Sequence, residues 1–349
     1  MHRENLFDSL VRNAIDFLNR AIDELQENPK YSVVHFFAAI EIFLKARLLL
    51  EHWSLVHEEP GRANLTSFFQ GDFRSVSLQE AIRRLKNVAG TRISADAERS
   101  FERLQDHRNK LIHFFHPEYG PDAAPSVLAS VVADECVAWL HLHKMLTHLW
   151  ANEFENYDRD INALNYQMLR LRAFLQVRYD ALRDDIERGK ERGVLFIECP
   201  SCGFEAARYT EQVGCLSETT CIVCENMIRR LDTPRPDCEA TIAVYDLGEA
   251  VCEDCETSIN MDYLIDVYGV HQTPEEALES PAHAYCPNCE WIEQPSVVPH
   301  NNHYFCLNCL AVYDYIGSCE WCGELNAGDM SDSFLTGCIW CEGRLGWGD

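Results

Sequence analysis

The sequence predicts a multidomain protein in which an all-α helical bundle is followed by tandem small β modules. Three observations carry this division. Through residues 1–193 apolar side chains return every three or four positions, the period of an amphipathic helix. Seventeen cysteines punctuate the 349 residues, and fourteen of them form seven Cys-x-x-Cys pairs confined to the last 151. Charge divides at the same place: residues 1–193 carry 25 basic and 29 acidic side chains, residues 194–349 only 5 basic against 27 acidic.

The helices follow in order. Leu6, Leu10, Ala14, Phe17, Ala21 and Leu25 mark one amphipathic face, which Asn28-Pro29 ends. From Tyr31 to about Trp53 the apolar character runs almost all round, interrupted mainly by His35, Glu41, Lys45 and Arg47. That pattern predicts the central, buried helix of the bundle. Residues 54–76 are mixed, and Ser77 with Glu80 then makes a capping-box pattern opening a helix that Gly90 closes. Further helices are expected from about Ser94 to Phe115, before His116-Pro117, and from about Ser126 to Trp150. The bundle therefore spans residues 1–150.

Residues 151–193 predict a connecting segment dominated by one long helix from Asp158 to Arg188. Ile161, Leu164, Met168, Leu171 and Leu175 form a stripe on it until Arg178 interrupts. The stripe fits dimerisation through this helix or packing back on the bundle, because both bury the same face. Gly189 and Gly193 mark the boundary to the acidic segment, 194–349.

In 199–224, Cys199-Pro-Ser-Cys202 is followed after 18 residues by Cys221-Ile-Val-Cys224, a spacing that lets four thiolates converge tetrahedrally on zinc. Cys286, Cys289, Cys306 and Cys309 repeat it in 286–309 at a gap of 16, and Cys319, Cys322, Cys338 and Cys341 in 319–341 at a gap of 15. These are zinc ribbons. In 235–255, Arg235-Pro-Asp-Cys238 aligns with Cys199-Pro-Ser-Cys202 and is followed by Cys252-Glu-Asp-Cys255. This fourth ribbon is degenerate, with Arg235 at the first ligand position; Cys215 or His271 substitutes there, or the site is empty. Three to four structural zinc ions per chain are expected and no catalytic metal, since four equivalent thiolates leave no open position. Modules this small need the metal to fold, and binding supplies on the order of 10 kcal/mol per site.

Several function classes fall away. No stretch approaches the roughly 18 uninterrupted apolar residues that cross a bilayer, and the first residues lack the apolar segment of a signal peptide. Paired cysteines used for metal fit a reducing, cytoplasmic setting. The acidic ribbon segment repels phosphate, so a protein partner, or an autoinhibitory contact with the helical half, suits it better than nucleic acid.

The residues that promise chemistry lie on the helix expected over 94–115. Asp106-His107-Arg108-Asn109-Lys110-Leu111-Ile112-His113 contains Arg-Asn-x-x-x-His near its C-terminal end. Arg108 and His113 are separated by about 140° around a helix, so they splay, yet they can approach one phosphate from two sides. Arginine offers a planar fork for phosphate oxygens, and histidine titrates near neutral pH. The structural alternative is an arginine paired with acidic neighbours and a histidine bonded within the fold.

A helical bundle closing a late helix with this motif resembles the HEPN superfamily. Ala38-Ala39-Ile40-Glu41-Ile42-Phe43-Leu44-Lys45-Ala46 is similar to the helix of that family whose acidic residue lies near the motif. The resemblance covers about residues 5–150 and leaves the ribbons outside. It implies a metal-independent endoribonuclease of the kind found in toxin, RNA-processing or antiviral systems, although other members are inactive scaffolds. It places Arg108 and His113 in catalytic roles, with Asn109 and Glu41 beside them. Lys45, Arg103 and Lys110 are candidates for holding RNA; Arg103 and Lys110 belong to a basic cluster with Arg83, Arg84, Lys86, Arg92 and Arg99, whose alternative reading is a solvated face paired with Asp96, Glu98, Glu102 and Asp106. One motif supplies one imidazole, whereas cleavage needs a base and an acid. A homodimer with a composite site is therefore expected, its products bearing 2′,3′-cyclic phosphate and 5′-hydroxyl ends.

Overall fold

The computed structural model describes residues 3–113, 125–234, 241–245, 250–251, 258–270, 283–289 and 294–343. The chain divides into two compact units, Met1–Ala181 and Leu182–Asp349.

The first unit is helical: α1 (Arg3–Glu24), α2 (Pro29–Glu51), α3 (Leu65–Gln70), α4 (Leu78–Asn87), α5 (Ala95–His113), α6 (Pro125–Lys144), α7 (Ala151–Phe154), α8 (Asp158–Met168) and the start of α9 (Arg172–Glu191). Pro29 opens α2 where its missing N–H costs nothing. α2 packs against α1, α4, α5 and α6, the central position that its all-round apolar sequence predicts. Phe36, Phe37, Phe43 and Leu44 are buried there. Among the described residues no helix is long and apolar enough to cross a membrane.

Only half of the expected capping box forms at α4. The Ser77 hydroxyl accepts from Glu80 N at 3.4 Å, but the Glu80 carboxylate turns to Arg83 and Arg84. Arg84 is buried, and its Nη1 donates to the carbonyls of Leu55 (2.7 Å) and His57 (2.6 Å). It thereby fastens the mixed segment 54–76, which forms short turns and α3.

The long helix expected from Asp158 to Arg188 is two helices. Arg170 N donates to Gln167 O (3.2 Å) and Leu171 N to Met168 O (2.9 Å), three-residue steps that tighten the end of α8 and stop it. Ile161, Leu164, Met168 and Leu175 are buried within the single chain, so its own fold covers their stripe. The second unit begins within α9, upstream of Gly189 and Gly193.

In that unit β1 (Phe196–Glu198), β2 (Glu205–Val213), β3 (Leu216–Cys221), β4 (Met227–Pro234) and β5 (Thr241–Tyr245) form an antiparallel meander. β6 (Ala250–Val251) pairs with β7 (Ser258–Ile259), and α10 (Met261–Tyr268) follows. β8 (Val297–His300), β9 (His303–Cys306) and β10 (Val312–Tyr313) make a second sheet; β11 (Ile316–Ser318) pairs with β12 (Leu325–Ala327) before the short α11 (Ser333–Thr336). Leu216, Leu231 and Val244 of the first sheet share one core with Leu264 of α10 and with Val298 and Phe305 of the second. The ribbons of 199–224 and 286–309 are thus fused through a common core.

Candidate functional site

The knuckles pair as their spacing predicts. Cys199, Cys202, Cys221 and Cys224 form one group, Cys286, Cys289, Cys306 and Cys309 a second, and Cys319, Cys322, Cys338 and Cys341 a third, each with its sulfurs within 4.8 Å of one another. Sulfurs about 2.3 Å from a central zinc would stand about 3.8 Å apart on a tetrahedral edge. The observed separations are 3.6 Å for Cys199–Cys224, Cys202–Cys221 and Cys286–Cys309, 3.8 Å for Cys289–Cys306, and 3.7 Å for Cys319–Cys341 and Cys322–Cys338. The donor sets fit zinc.

A repeated backbone turn produces this geometry. The N–H four residues after the first cysteine donates to its carbonyl in Gly203→Cys199 (2.8 Å), Glu225→Cys221 (3.0 Å), and Leu310→Cys306, Gly323→Cys319 and Glu342→Cys338 (each 2.9 Å). The donor residue is left-handed each time, with φ of 73°, 62°, 55°, 81° and 48° in that order. The turn folds each of these five Cys-x-x-Cys pairs back on itself and brings its two sulfurs to one side. Cys224 N and Cys309 N each donate at 3.5 Å to the preceding sulfur, Cys221 and Cys306. In the third group burial opposes ionisation of Cys319, yet the N–H groups of Cys322 and Trp321 bring its pKa down to about 6. Burial pushes Cys322 up to about 12.

The structure adds partners to the second group that spacing did not indicate. Asn308 Nδ2 donates to Cys289 Sγ at 3.2 Å, Ser296 Oγ lies 3.3 Å from Cys306 Sγ, and Tyr313 Oη lies 3.1 Å from Cys286 Sγ. Asn308 sits inside Cys306-Leu-Asn-Cys309 and so had a local signal, whereas Ser296 and Tyr313 arrive from elsewhere on the fold. Cys238, Cys252 and Cys255, with Arg235 and His271, lie outside the described residues. Cys215 belongs to none of the three groups; its sulfur is 3.5 Å from His300 Nε2.

In the helical unit, α2 and α5 bring four of the sequence-chosen residues together. The Arg108 guanidinium lies over the Phe37 ring at 4.9 Å, and its Nη1 donates to Asn109 Oδ1 at 2.8 Å. Glu41 and Lys45 stand one turn apart on α2 with Oε2 and Nζ 3.9 Å apart, their side chains only 21% and 16% exposed. Burial lowers the Lys45 pKa; Glu41 opposes that shift, and the like charge of Arg108 adds to it. Phe37, a flat support for the guanidinium, was not singled out in the sequence because it looks like any buried aromatic of α2.

His113 is the last residue of α5, and its side chain lies outside the described residues. Lys110 is exposed. Arg103 points its Nε at Asp134 Oδ1 of α6 (2.9 Å), and His107 Nε2 meets the other oxygen at 3.1 Å. Burial would raise the Asp134 pKa, but these two neighbours hold it below its usual value. Much of the remaining basic cluster is likewise engaged: Arg83 with Glu80, Lys86 with Glu98, Arg99 with Asp96, and Arg84 with backbone carbonyls. The chain was compared with protein-family models, with curated proteins and with solved structures, and none of them matches it.

Proposed function

We propose that the helical unit is a metal-independent endoribonuclease that works as a homodimer. The observation that supports this most directly is the placement of Lys45 and Arg108 on α2 and α5 in a partly buried setting, where burial disfavours the Lys45 charge, Glu41 offsets part of that cost and Arg108 adds a little to it. A bound phosphate supplies counter-charge there, and perturbed groups of this kind concentrate at functional sites. In this reading Arg108 and Lys45 hold the scissile phosphate. Asn109 positions Arg108, Glu41 positions Lys45, and His113 is the acid–base group.

The 2′-oxygen loses its proton to one imidazole and attacks phosphorus. The bond to the 5′-oxygen breaks, and that oxygen takes a proton from the second imidazole, contributed by the other copy. The products are a 2′,3′-cyclic phosphate and a 5′-hydroxyl. Zinc has no part in these steps; it holds the acidic unit folded for regulation or for recognition of a protein partner. By the family resemblance the setting is cytoplasmic, in antiviral defence or toxin-like growth control.

The test compares native protein with His113→Ala on mixed cellular RNA, with brief exposure to a chelator. Cleavage by the native protein, leaving cyclic phosphate ends and falling about 10²- to 10⁴-fold in the variant, is the expected outcome. Equal cleavage by both would sink the assignment. A second reading, a non-enzymatic interaction scaffold, draws on the engagement of Arg108 with Phe37 and Asn109; intact RNA after incubation with the native dimer favours it.

A further inference from the structure

The second unit is strongly acidic, yet one concavity on it is lined by arginines. The cavity has a volume of 390 Å³, and its lining combines Arg188, Arg192 and Arg208 with one carboxylate, Asp185, and with the apolar Leu182, Val194 and Ile222. That volume lies toward the lower end of the roughly 300–1,000 Å³ typical of small-molecule sites. Arg188 pairs with Asp185. Among the described residues neither Arg192 nor Arg208 meets a carboxylate, although residues 194–349 hold 27 acidic side chains. Arg208 instead lies 6.0 Å from the centroid of Phe196.

Helix polarity accounts for part of this, since basic side chains at a helix C-terminus complement its dipole, and Arg188 lies in the last turn of α9 with Arg192 directly after the helix. It does not account for Arg208, which comes from β2 and enters the same cavity. The walls are held close. A Cβ on Gly189 would stand 2.7 Å from the Phe196 ring, so α9 approaches β1 at a distance that glycine permits. Ile222 belongs to the knuckle Cys221-Ile222-Val223-Cys224, so the first metal group shapes one wall.

We propose that this cavity binds a nucleotide, with the phosphate on the three guanidiniums and the base against Leu182, Val194 and Ile222. Guanidinium forks match phosphate oxygens in paired hydrogen bonds. The net acidity of the unit does not forbid this. At physiological salt, charges beyond about 8 Å are largely screened, whereas direct contacts are not.

The test is calorimetric titration of the zinc-loaded full chain with adenosine 5′-monophosphate, adenosine and inorganic phosphate. The monophosphate is expected to saturate, and the other two to bind at least about tenfold more weakly. Arg192→Gln and Arg208→Gln should each raise the Kd for the monophosphate about tenfold or more. Arg192 is exposed and among the described residues meets no carboxylate, so its replacement should leave the fold intact, and zinc content verifies the Arg208 variant. No saturation up to about 1 mM, equal binding of adenosine or of phosphate, or an unchanged Kd in both variants would overturn the proposal. So would loss of binding on Arg108→Ala while both cavity variants bind normally.

Discussion

The two units solve the same stability problem with different means. In the helical unit the largest fully buried side chains are Trp139, Trp150, Phe36, Phe37, Phe43 and Phe101, a conventional apolar core. In the third cysteine group the buried cluster consists of Cys319, Cys338 and Cys341 themselves, with Cys322, Met330 and Trp340 only partly buried around it. The second group stands between these extremes, its cysteines packed with Ala284, Val297, Ala311 and Ala327. The contrast teaches that the first unit rests on apolar burial throughout, whereas the second adds to its apolar core cysteine groups that fit a cation, and its C-terminal module has little else.

Prolonged chelation is the strongest way to break that contrast. Loss of on the order of 10 kcal/mol per site should unfold the ribbon unit and leave the helical far-ultraviolet signal standing, with the 319–341 module yielding first. Simultaneous loss of both signals would show that the units depend on one another. The converse experiment acts on the helical core. Phe43→Ala should cost about 3–5 kcal/mol through lost burial and a residual cavity. It should lower the melting temperature of the helical transition and leave bound zinc unchanged.

The asymmetry was legible where it rests on local spacing and hidden where it rests on packing. Cys199 and Cys202 find Cys221 and Cys224 because a knuckle is one turn long and its partner lies one hairpin away. The centrality of α2 was legible from a helix with almost no polar face. The break after Met168 was not, because the apolar period runs on across it and only the tightened turn at Arg170 and Leu171 ends the helix. The pair Glu41 and Lys45 follows from helical spacing, but the reach of Arg108 to Lys45 depends on how α5 lies on α2. The core joining Leu231 to Phe305, and the turn of Arg103 toward Asp134, are long-range contacts that carry no local pattern.

A buried carboxyl sharpens the comparison through pH. Glu135 is fully buried; its Oε2 lies 2.5 Å from Ser32 Oγ, which is also 2.9 Å from Ala21 O. One hydroxyl hydrogen cannot serve both oxygens, so a protonated Glu135 donates to Ser32, which donates to Ala21. Burial accordingly holds the Glu135 pKa well above its ordinary value. The folded state therefore keeps a proton that the unfolded chain releases above about pH 4.3, and stability falls as pH rises from there toward the folded pKa. Glu135→Gln should flatten the pH dependence of the helical melting temperature between about pH 5 and 8 and leave the zinc-dependent transition where it was. An unchanged slope would mean that the carboxyl is ionised in the fold.

The smallest effects lie in the knuckle turns, where strain and burial compete. A left-handed residue with a side chain costs roughly 1–2 kcal/mol relative to glycine. A Cβ at Gly323 would meet nothing within 4 Å, so Gly323→Ala isolates that cost and should lower the stability of the ribbon unit by about 1 kcal/mol. Glu225→Gly should recover a similar amount, because it relieves the same strain at φ 62° in the first group. Leu310 has the same backbone at φ 55° but is only 1% exposed in the core that joins the two sheets. Burying a leucine is worth about 1.5–3 kcal/mol, which outweighs the strain, so Leu310→Gly should destabilise where Glu225→Gly stabilises. Thermal melts of the zinc-loaded variants read the sign directly. Stabilisation by both glycine substitutions would mean that the left-handed turn, and not the shared core, decides the stability of the second cysteine group.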